Sequence, residues 1–311
     1  MPDFKNTAVL GAGVIGASWA ALFLASGRNV AVFDTMAGAE KSTRDYIEMA
    51  WPALRELGLI KSSAPGKLSF HRSAVEAVRD ADFIQENVPE RIEIKKALFA
   101  EIEPALKPSA IVASSASGLT LTEMQVGWKK PSRFVLGHPF NPPHLIPLVE
   151  LLANDRTDVD VIGKAELFYK EVGKITIRVS KEVPGHVANR LQAALWREAL
   201  HLVKSGVATV KDVDTAVWAG PGLRWAAMGP TTLFHLAAGP GGIAEFCERY
   251  TPSFNRWWDD LGDLHLDPTL AKQISDGLAQ DFGNETTAEL SAKRDALIIA
   301  MQKAIAHLQR S

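Results

Sequence analysis

The sequence predicts a doubly wound α/β sheet followed by an all-α C-terminal domain. Three observations carry that prediction. Short β-like runs alternate with helical segments as far as about residue 179, the pattern of a parallel sheet covered by helices. A glycine-rich turn joins the first run to the first helix. Past residue 183 the alternation stops, and nearly everything reads as helix or connecting loop. The boundary is drawn there, giving domains of residues 1–183 and 184–311.

The first run, residues 7–10, ends in Gly11-Ala12-Gly13-Val14-Ile15-Gly16, and a helix over 17–26 closes at Gly27. A second strand, 29–33, ends at Asp34. This is a Rossmann-type dinucleotide fingerprint in its proper context. The glycines allow a tight turn, close approach of a pyrophosphate and close packing of helix on strand. The helix N-terminus supplies N–H donors and a positive dipole end. Asp34 stands where a carboxylate accepts from ribose hydroxyls and would repel a 2′-phosphate, so NAD is expected rather than NADP. Gly11, Gly13, Val14, Ile15, Gly16 and Asp34 are the candidate cofactor contacts.

A covering helix over 37–57 follows, then a strand at 67–70, a short helix at 73–79 and a strand at 81–86. The remaining elements of this half are an amphipathic helix over 92–106, a strand at 110–113 and a small polar turn at 114–118. Ligands of doubly wound sheets sit beyond the carboxyl ends of the strands. Residues 87–90, 114–117 and His138 converge on that edge. His138 follows an apolar run, 133–137, and Glu150 lies inside another, 147–152. The prolines and asparagine between them force a bend. Two strands leaving that bend can set His138 against Glu150, which would orient the ring and raise its basicity. These residues alone fit a core histidine beside a solvated glutamate at least as well.

A last strand is expected at 175–179, and Pro184 suits the first turn of a helix over 186–205. Asn189, Ala193 and Trp196 share one face of that helix. Asn189 fits either a group aimed at the crevice or an ordinary capping residue. Further on, Arg224 and Trp225 lie in what reads as a glycine-rich loop, GLRWAAMGP. A guanidinium among large apolar groups there suggests recognition of a carboxylate. The eight tryptophans, Trp257 and Trp258 adjacent among them, include enough aromatic surface for a cage around a quaternary ammonium. Residues 288–309 read as a long amphipathic helix suited to packing or dimer contact.

The composition, 47% hydrophobic and 23% charged, is that of a soluble globular chain of 311 residues. Basic and acidic residues nearly balance, at 34 against 36, which points away from nucleic-acid and membrane partners. Cys247 is the sole cysteine, which excludes an internal disulfide and fits a reducing compartment. The N-terminus lacks a signal-peptide profile, no apolar run is long enough to span a bilayer, and no metal site is expected. A cytoplasmic location is the expectation.

The chain resembles the L-3-hydroxyacyl-CoA dehydrogenase family over nearly its whole length. GAGVIG, ENVPERIEIKKALF, SSASG, HPFNPP with IPLVEL, and PGHVANRLQ occur in family order. It is most similar to the branch acting on free acids, the carnitine dehydrogenases and gulonate 3-dehydrogenases with their lambda-crystallin relative. The resemblance implies His138 as catalytic base, Glu150 as its partner, and Ser117 and Asn189 bonding the reacting oxygen. It also implies Glu90 and Lys95 as cofactor contacts, a small 3-hydroxy acid as substrate, and a homodimer formed through the C-terminal domain. Arg224, Trp225 and Trp196 are the candidate substrate residues of the free-acid branch. No lysine-arginine cluster near the crevice suits the phosphates of CoA. His186 stands where the family usually has an aromatic residue.

Overall fold

The computed structural model describes residues 4–61 and 65–308. Residues 1–3 of the N-terminus, and Gln309 at the end of the last expected helix, lie outside the described residues. The chain divides into two compact units, residues 1–190 and 191–311. The division falls seven residues past the boundary read from the sequence, because the helix that opens at Ala188 runs through it.

The first unit is a sheet with helices on both faces. In chain order it runs β1 (Asn6–Leu10), α1 (Val14–Ala25), β2 (Asn29–Phe33), α2 (Ala39–Glu56), β3 (Leu68–Phe70), α3 (Ala74–Val78) and β4 (Phe83–Glu86). It continues with α4 (Ile92–Ile102), β5 (Ile111–Ser114), α5 (Leu121–Met124), β6 (Phe134–Pro139), β7 (Leu148–Leu152), α6 (Val159–Glu171) and β8 (Ile175–Arg178). The strand order is β3-β2-β1-β4-β5-β6-β7-β8. Every neighbouring pair is parallel except β6 and β7, which run antiparallel.

Alternation along the strands builds two cores, one on each face. Val9, Phe83 and Val135 join Trp19, Phe23 and Phe168 on one side. Ala8, Leu10, Ile84, Phe134 and Leu136 join Phe99 and Val112 on the other. On the first side Phe83 and Phe168 stack with ring centroids 3.8 Å apart. Strands so enclosed read as apolar runs, which is why the sequence exposes them.

The helix expected over 17–26 begins at Val14, and three other helical stretches differ from expectation. The helix expected over 92–106 ends at Ile102, and Pro104 lies in the 3₁₀ turn Glu103–Ala105 that follows. The helix expected from His186 begins at Ala188, because Pro184 to Val187 form a turn and His186 is left-handed with φ 49°. Arg224 and Trp225 lie on a short helix, not in a loop. Pro221 occupies its first turn, where a missing N–H costs nothing, and Leu223 through Ala227 are competent helix formers.

The second unit holds the rest of α7 (Ala188–Lys204), then α8 (Val210–Ala219), α9 (Pro221–Ala227) and α10 (Pro230–Ala237). It closes with α11 (Gly242–Asp260), α12 (Pro268–Phe282) and α13 (Thr287–Leu308). Caps set several starts. The Thr209 hydroxyl accepts from Asp212 N–H at α8, and Asp267 accepts from Leu270 N–H at α12. Phe234 of α10 packs on Phe246 and Phe254 of α11. Among the described residues no helix is long and apolar enough to cross a membrane.

Candidate active site

The glycine turn is built for a cofactor phosphate. Gly11 is left-handed with φ 83°, and a Cβ there would fall 2.7 Å from the Asn87 carbonyl carbon. At Gly16 a Cβ would fall 1.9 Å from the Gly11 oxygen, so the first turn of α1 packs directly on the loop. Gly13 differs, since a Cβ there would meet nothing within 4 Å. It is also the N-cap of α1 and supplies no side-chain cap, leaving the helix-end donors to a ligand. Open space over uncapped amides fits a dinucleotide pyrophosphate. Val14 is exposed beside it, and Ile15 is half-buried. Asp34, at the end of β2, accepts from Ala12 N–H at 2.5 Å and Met36 N–H at 2.7 Å. Its carboxylate therefore stands at the rim of the turn, where ribose hydroxyls would meet it.

Antiparallel pairing of β6 with β7 places His138 directly opposite Glu150. Both are buried, with Glu150 wholly so. The His138 Nδ1–H donates to Glu150 Oε2 at 2.9 Å. Glu150 Oε1 accepts from the backbone N–H groups of Val187 and Ala188, each at 2.9 Å. Burial pushes the Glu150 carboxyl up. The bonds from His138, Ala188 and Val187 pull it down further, and the balance lies below the ordinary carboxylate value. A carboxylate held ionised in this way fixes the Nδ1–H tautomer and leaves Nε2 with its lone pair. Ser117 Oγ lies 3.1 Å from Nε2, where its hydroxyl can donate. The arrangement is a base with an oriented ring and a hydroxyl at its working nitrogen, able to take a proton from an alcohol.

Other candidates are placed as follows. Glu90 Oε1 accepts from Leu119 N–H at 2.9 Å and from Gly118 N–H, which ties the loop after β4 to the turn holding Ser117. Asn189 is half-buried in the first turn of α7, and among the described residues its amide has no hydrogen-bond partner. Lys95 does not reach the crevice surface. It is 1% exposed, with Nζ 2.6 and 2.8 Å from the two Glu86 oxygens and 3.2 Å from the Val88 carbonyl. With its donors engaged, it braces the loop beyond β4 from beneath. In the second unit, Arg224, Trp225 and Trp196 are all exposed, and among the described residues Arg224 makes no ion pair.

Several supporting residues escaped sequence reasoning. Glu86 also accepts from Ser114 Oγ at 2.6 Å, joining β4 to β5. Gln85 donates to Ser115 Oγ at 2.8 Å and accepts from the Tyr169 hydroxyl at 2.6 Å. A Cβ at Gly137 would fall 2.1 Å from that hydroxyl, so the residue before His138 must be glycine for this packing. His186, which the sequence marked only as a departure from the family's aromatic residue, lies with its ring centroid 5.2 Å from that of His138. The available signal was a polar residue standing inside an apolar run, which pattern alone reads as core. Among the described residues no group of three His, Cys, Asp or Glu side chains could hold a metal ion.

The NAD-binding domain of 3-hydroxyacyl-CoA dehydrogenase matches residues 6–183, and the C-terminal domain of that enzyme matches residues 185–266. The L-carnitine dehydrogenase of Streptomyces coelicolor is 43% identical over 98% of this chain and 96% of its own. A Pseudomonas L-carnitine dehydrogenase is 44% identical over 97% and 94%. Among solved structures, 5-formyl-3-hydroxy-2-methylpyridine 4-carboxylic acid 5-dehydrogenase, an NAD+ dependent dismutase, aligns with a TM-score of 0.86. It is 31% identical and covers 97% of this chain and 99% of its own.

Proposed function

Because the chain belongs to the 3-hydroxyacyl-CoA dehydrogenase family, we propose that it oxidises the 3-hydroxyl of a small free L-3-hydroxy acid, with L-carnitine as the leading substrate. It is an NAD-dependent oxidoreductase acting on CH–OH groups. The observation that carries the reading is the relay from Glu150 through His138 to Ser117.

In this reading the substrate hydroxyl donates to His138 Nε2, beside Ser117 Oγ. His138 takes the proton as the carbon–oxygen bond gains double-bond character. Glu150 stabilises the imidazolium that forms, and its bonds to Val187 and Ala188 keep it from moving. Ser117 and Asn189 donate to the oxygen as charge develops on it. Bound NAD supplies the acceptor for the hydride leaving the same carbon. The α1 amides and Gly13 would hold its pyrophosphate and Asp34 its ribose, while Glu90 steadies the adjoining loop. Lys95 serves the cofactor indirectly, by supporting that loop.

Arg224 pairs with the substrate carboxylate, since a small free acid offers few handles and one fixed charge. Trp225 and Trp196 line the far end, where a trimethylammonium group meets an aromatic face. A homodimer formed by the helical domain is supported by apolar exposure. Trp218, Leu223, Trp257, Trp258 and Leu297 are all more than half exposed in the single chain. A cytoplasmic location is supported by the single cysteine, Cys247.

The test is NADH formation from L-carnitine, L-gulonate, 3-hydroxybutyrate and 3-hydroxybutyryl-CoA measured in parallel. The expected result is the highest kcat/KM with L-carnitine and negligible rate with the thioester. Preference for the thioester overturns the free-acid reading. NAD binding with no turnover of any substrate makes the chain a binding protein instead.

A further inference from the structure

His186 combines three features that packing alone does not explain. It is 3% exposed, so its polar atoms are cut off from water. It is also left-handed, with φ 49°, alone in this respect among the non-glycine residues described. Non-glycine residues are uncommon in that region, although histidine enters it more readily than most. Finally, its Nδ1 is buried without any hydrogen-bond partner.

The tautomer follows from its neighbours. Nε2 lies 3.3 Å from the Ala116 carbonyl oxygen, which can only accept, so Nε2 carries the proton. Burial lowers the His186 pKa, the Ala116 carbonyl raises it and His138 lowers it again. Glu150 and Glu90 raise it, and the balance falls below the ordinary value. The ring is therefore neutral at neutral pH, and Nδ1 presents a bare lone pair. An unpaired buried acceptor costs stability, so a donor supplied with a ligand would be rewarded.

The reaction itself limits what that donor can be. This step rests on the proposed function above. Carnitine, the leading substrate, has one O–H donor, its 3-hydroxyl, and that bond belongs to His138. Its carboxylate and trimethylammonium groups donate nothing. Hydride transfer requires the nicotinamide ring carbon that receives it to approach the carbinol carbon held at His138. The carboxamide is attached to the adjacent ring carbon and carries two N–H donors. His186 is 5.2 Å, ring to ring, from the base that fixes this position.

We infer that His186 is a cofactor-binding residue whose Nδ1 accepts a hydrogen bond from the carboxamide N–H of bound nicotinamide. An aromatic hydrocarbon at this place would fill the space and leave the carboxamide unread.

The test compares NAD with its 3-acetylpyridine analogue, in which a methyl ketone replaces the carboxamide and removes both donors. Dissociation constants are measured by calorimetry without substrate, so turnover plays no part. The wild type should favour NAD. His186→Phe should weaken NAD by about 3- to 10-fold, the range of one buried neutral hydrogen bond, and leave the analogue unchanged. An equal NAD-to-analogue ratio in both proteins overturns the inference. Should His186→Phe fail to fold, the wild type still decides through the ¹⁵N signal of His186 Nδ1. NAD should move that signal and the analogue should not; equal response to both overturns the assignment. A wild type that binds no NAD removes the functional reading itself, whereas normal binding and turnover with an unaltered ratio removes only this inference.

Discussion

Glu150→Gln separates the charge of the relay from its shape. Glu150 accepts from three donors: His138 Nδ1–H, Val187 N–H and Ala188 N–H. A glutamine of the same size has one acceptor oxygen and one NH₂ group. If its oxygen faces His138, the NH₂ meets two backbone N–H groups, leaving both unpaired. The cost is about 1–3 kcal/mol for each unpaired donor. If its oxygen faces the backbone, the NH₂ faces Nδ1 and the imidazole moves its proton to Nε2. The second arrangement satisfies every group, so it prevails, and it blocks the nitrogen that must accept the substrate proton. The expected result is a loss in kcat of about 10²–10⁴-fold, the worth of a positioned base, with a nearly unchanged melting temperature. Steady-state kinetics with thermal denaturation reads both. Wild-type kcat in this variant, or a loss of rate explained by unfolding, refutes the reasoning. A pH dependence accompanies it. The folded Glu150 carboxyl lies below its ordinary value, so its contribution to stability is present above pH 4.5 and fades as pH falls through the folded value. Glu150→Gln should lack that part of acid destabilisation in a denaturant series.

Other expectations follow from the same geometry. Asp34→Ser should raise kcat/KM with NADP relative to NAD by at least about tenfold; a native preference for NADP removes the role given to the carboxylate. Glu86→Gln should destabilise the fold by about 3–5 kcal/mol in urea denaturation, because it strands the Lys95 ammonium in the interior. An unchanged midpoint would mean that the pair is replaceable. Arg224→Met should raise KM for free acids strongly and leave the melting temperature intact, whereas unchanged KM with a fallen melting temperature makes the arginine a structural brace.

Much of this arrangement was legible in the sequence for physical reasons. Strands enclosed on both faces must be apolar along their length, so the sheet stands out as separate runs. A dinucleotide turn needs glycines at set spacing, so 11–16 was readable as a site. The bend forced by the prolines made a pairing of His138 with Glu150 possible, and the family resemblance was needed to choose it over a core histidine. Less legible was anything decided by a third element. Lys95 read as a cofactor contact, yet Glu86 lies nine positions earlier on β4, and only the packing of α4 on the sheet encloses the two together. The segment around Arg224 read as a loop because of its glycines, while Pro221 starts a helix there. The amides of Val187 and Ala188 carry no side-chain signature, so their grip on Glu150 was invisible. His186 was visible as a departure from an aromatic pattern, but its bare Nδ1 required the Ala116 carbonyl to be in place.

The central claim is that His138 removes the hydroxyl proton of a free 3-hydroxy acid while NAD is bound nearby. The most direct measurement is single-turnover NADH formation from L-carnitine by the wild type and His138→Ala, each first shown by calorimetry to bind NAD. The account requires rapid NADH formation by the wild type and a rate lower by about 10²–10⁴-fold in the variant, with NAD affinity retained. Equal rates in the two proteins would contradict it.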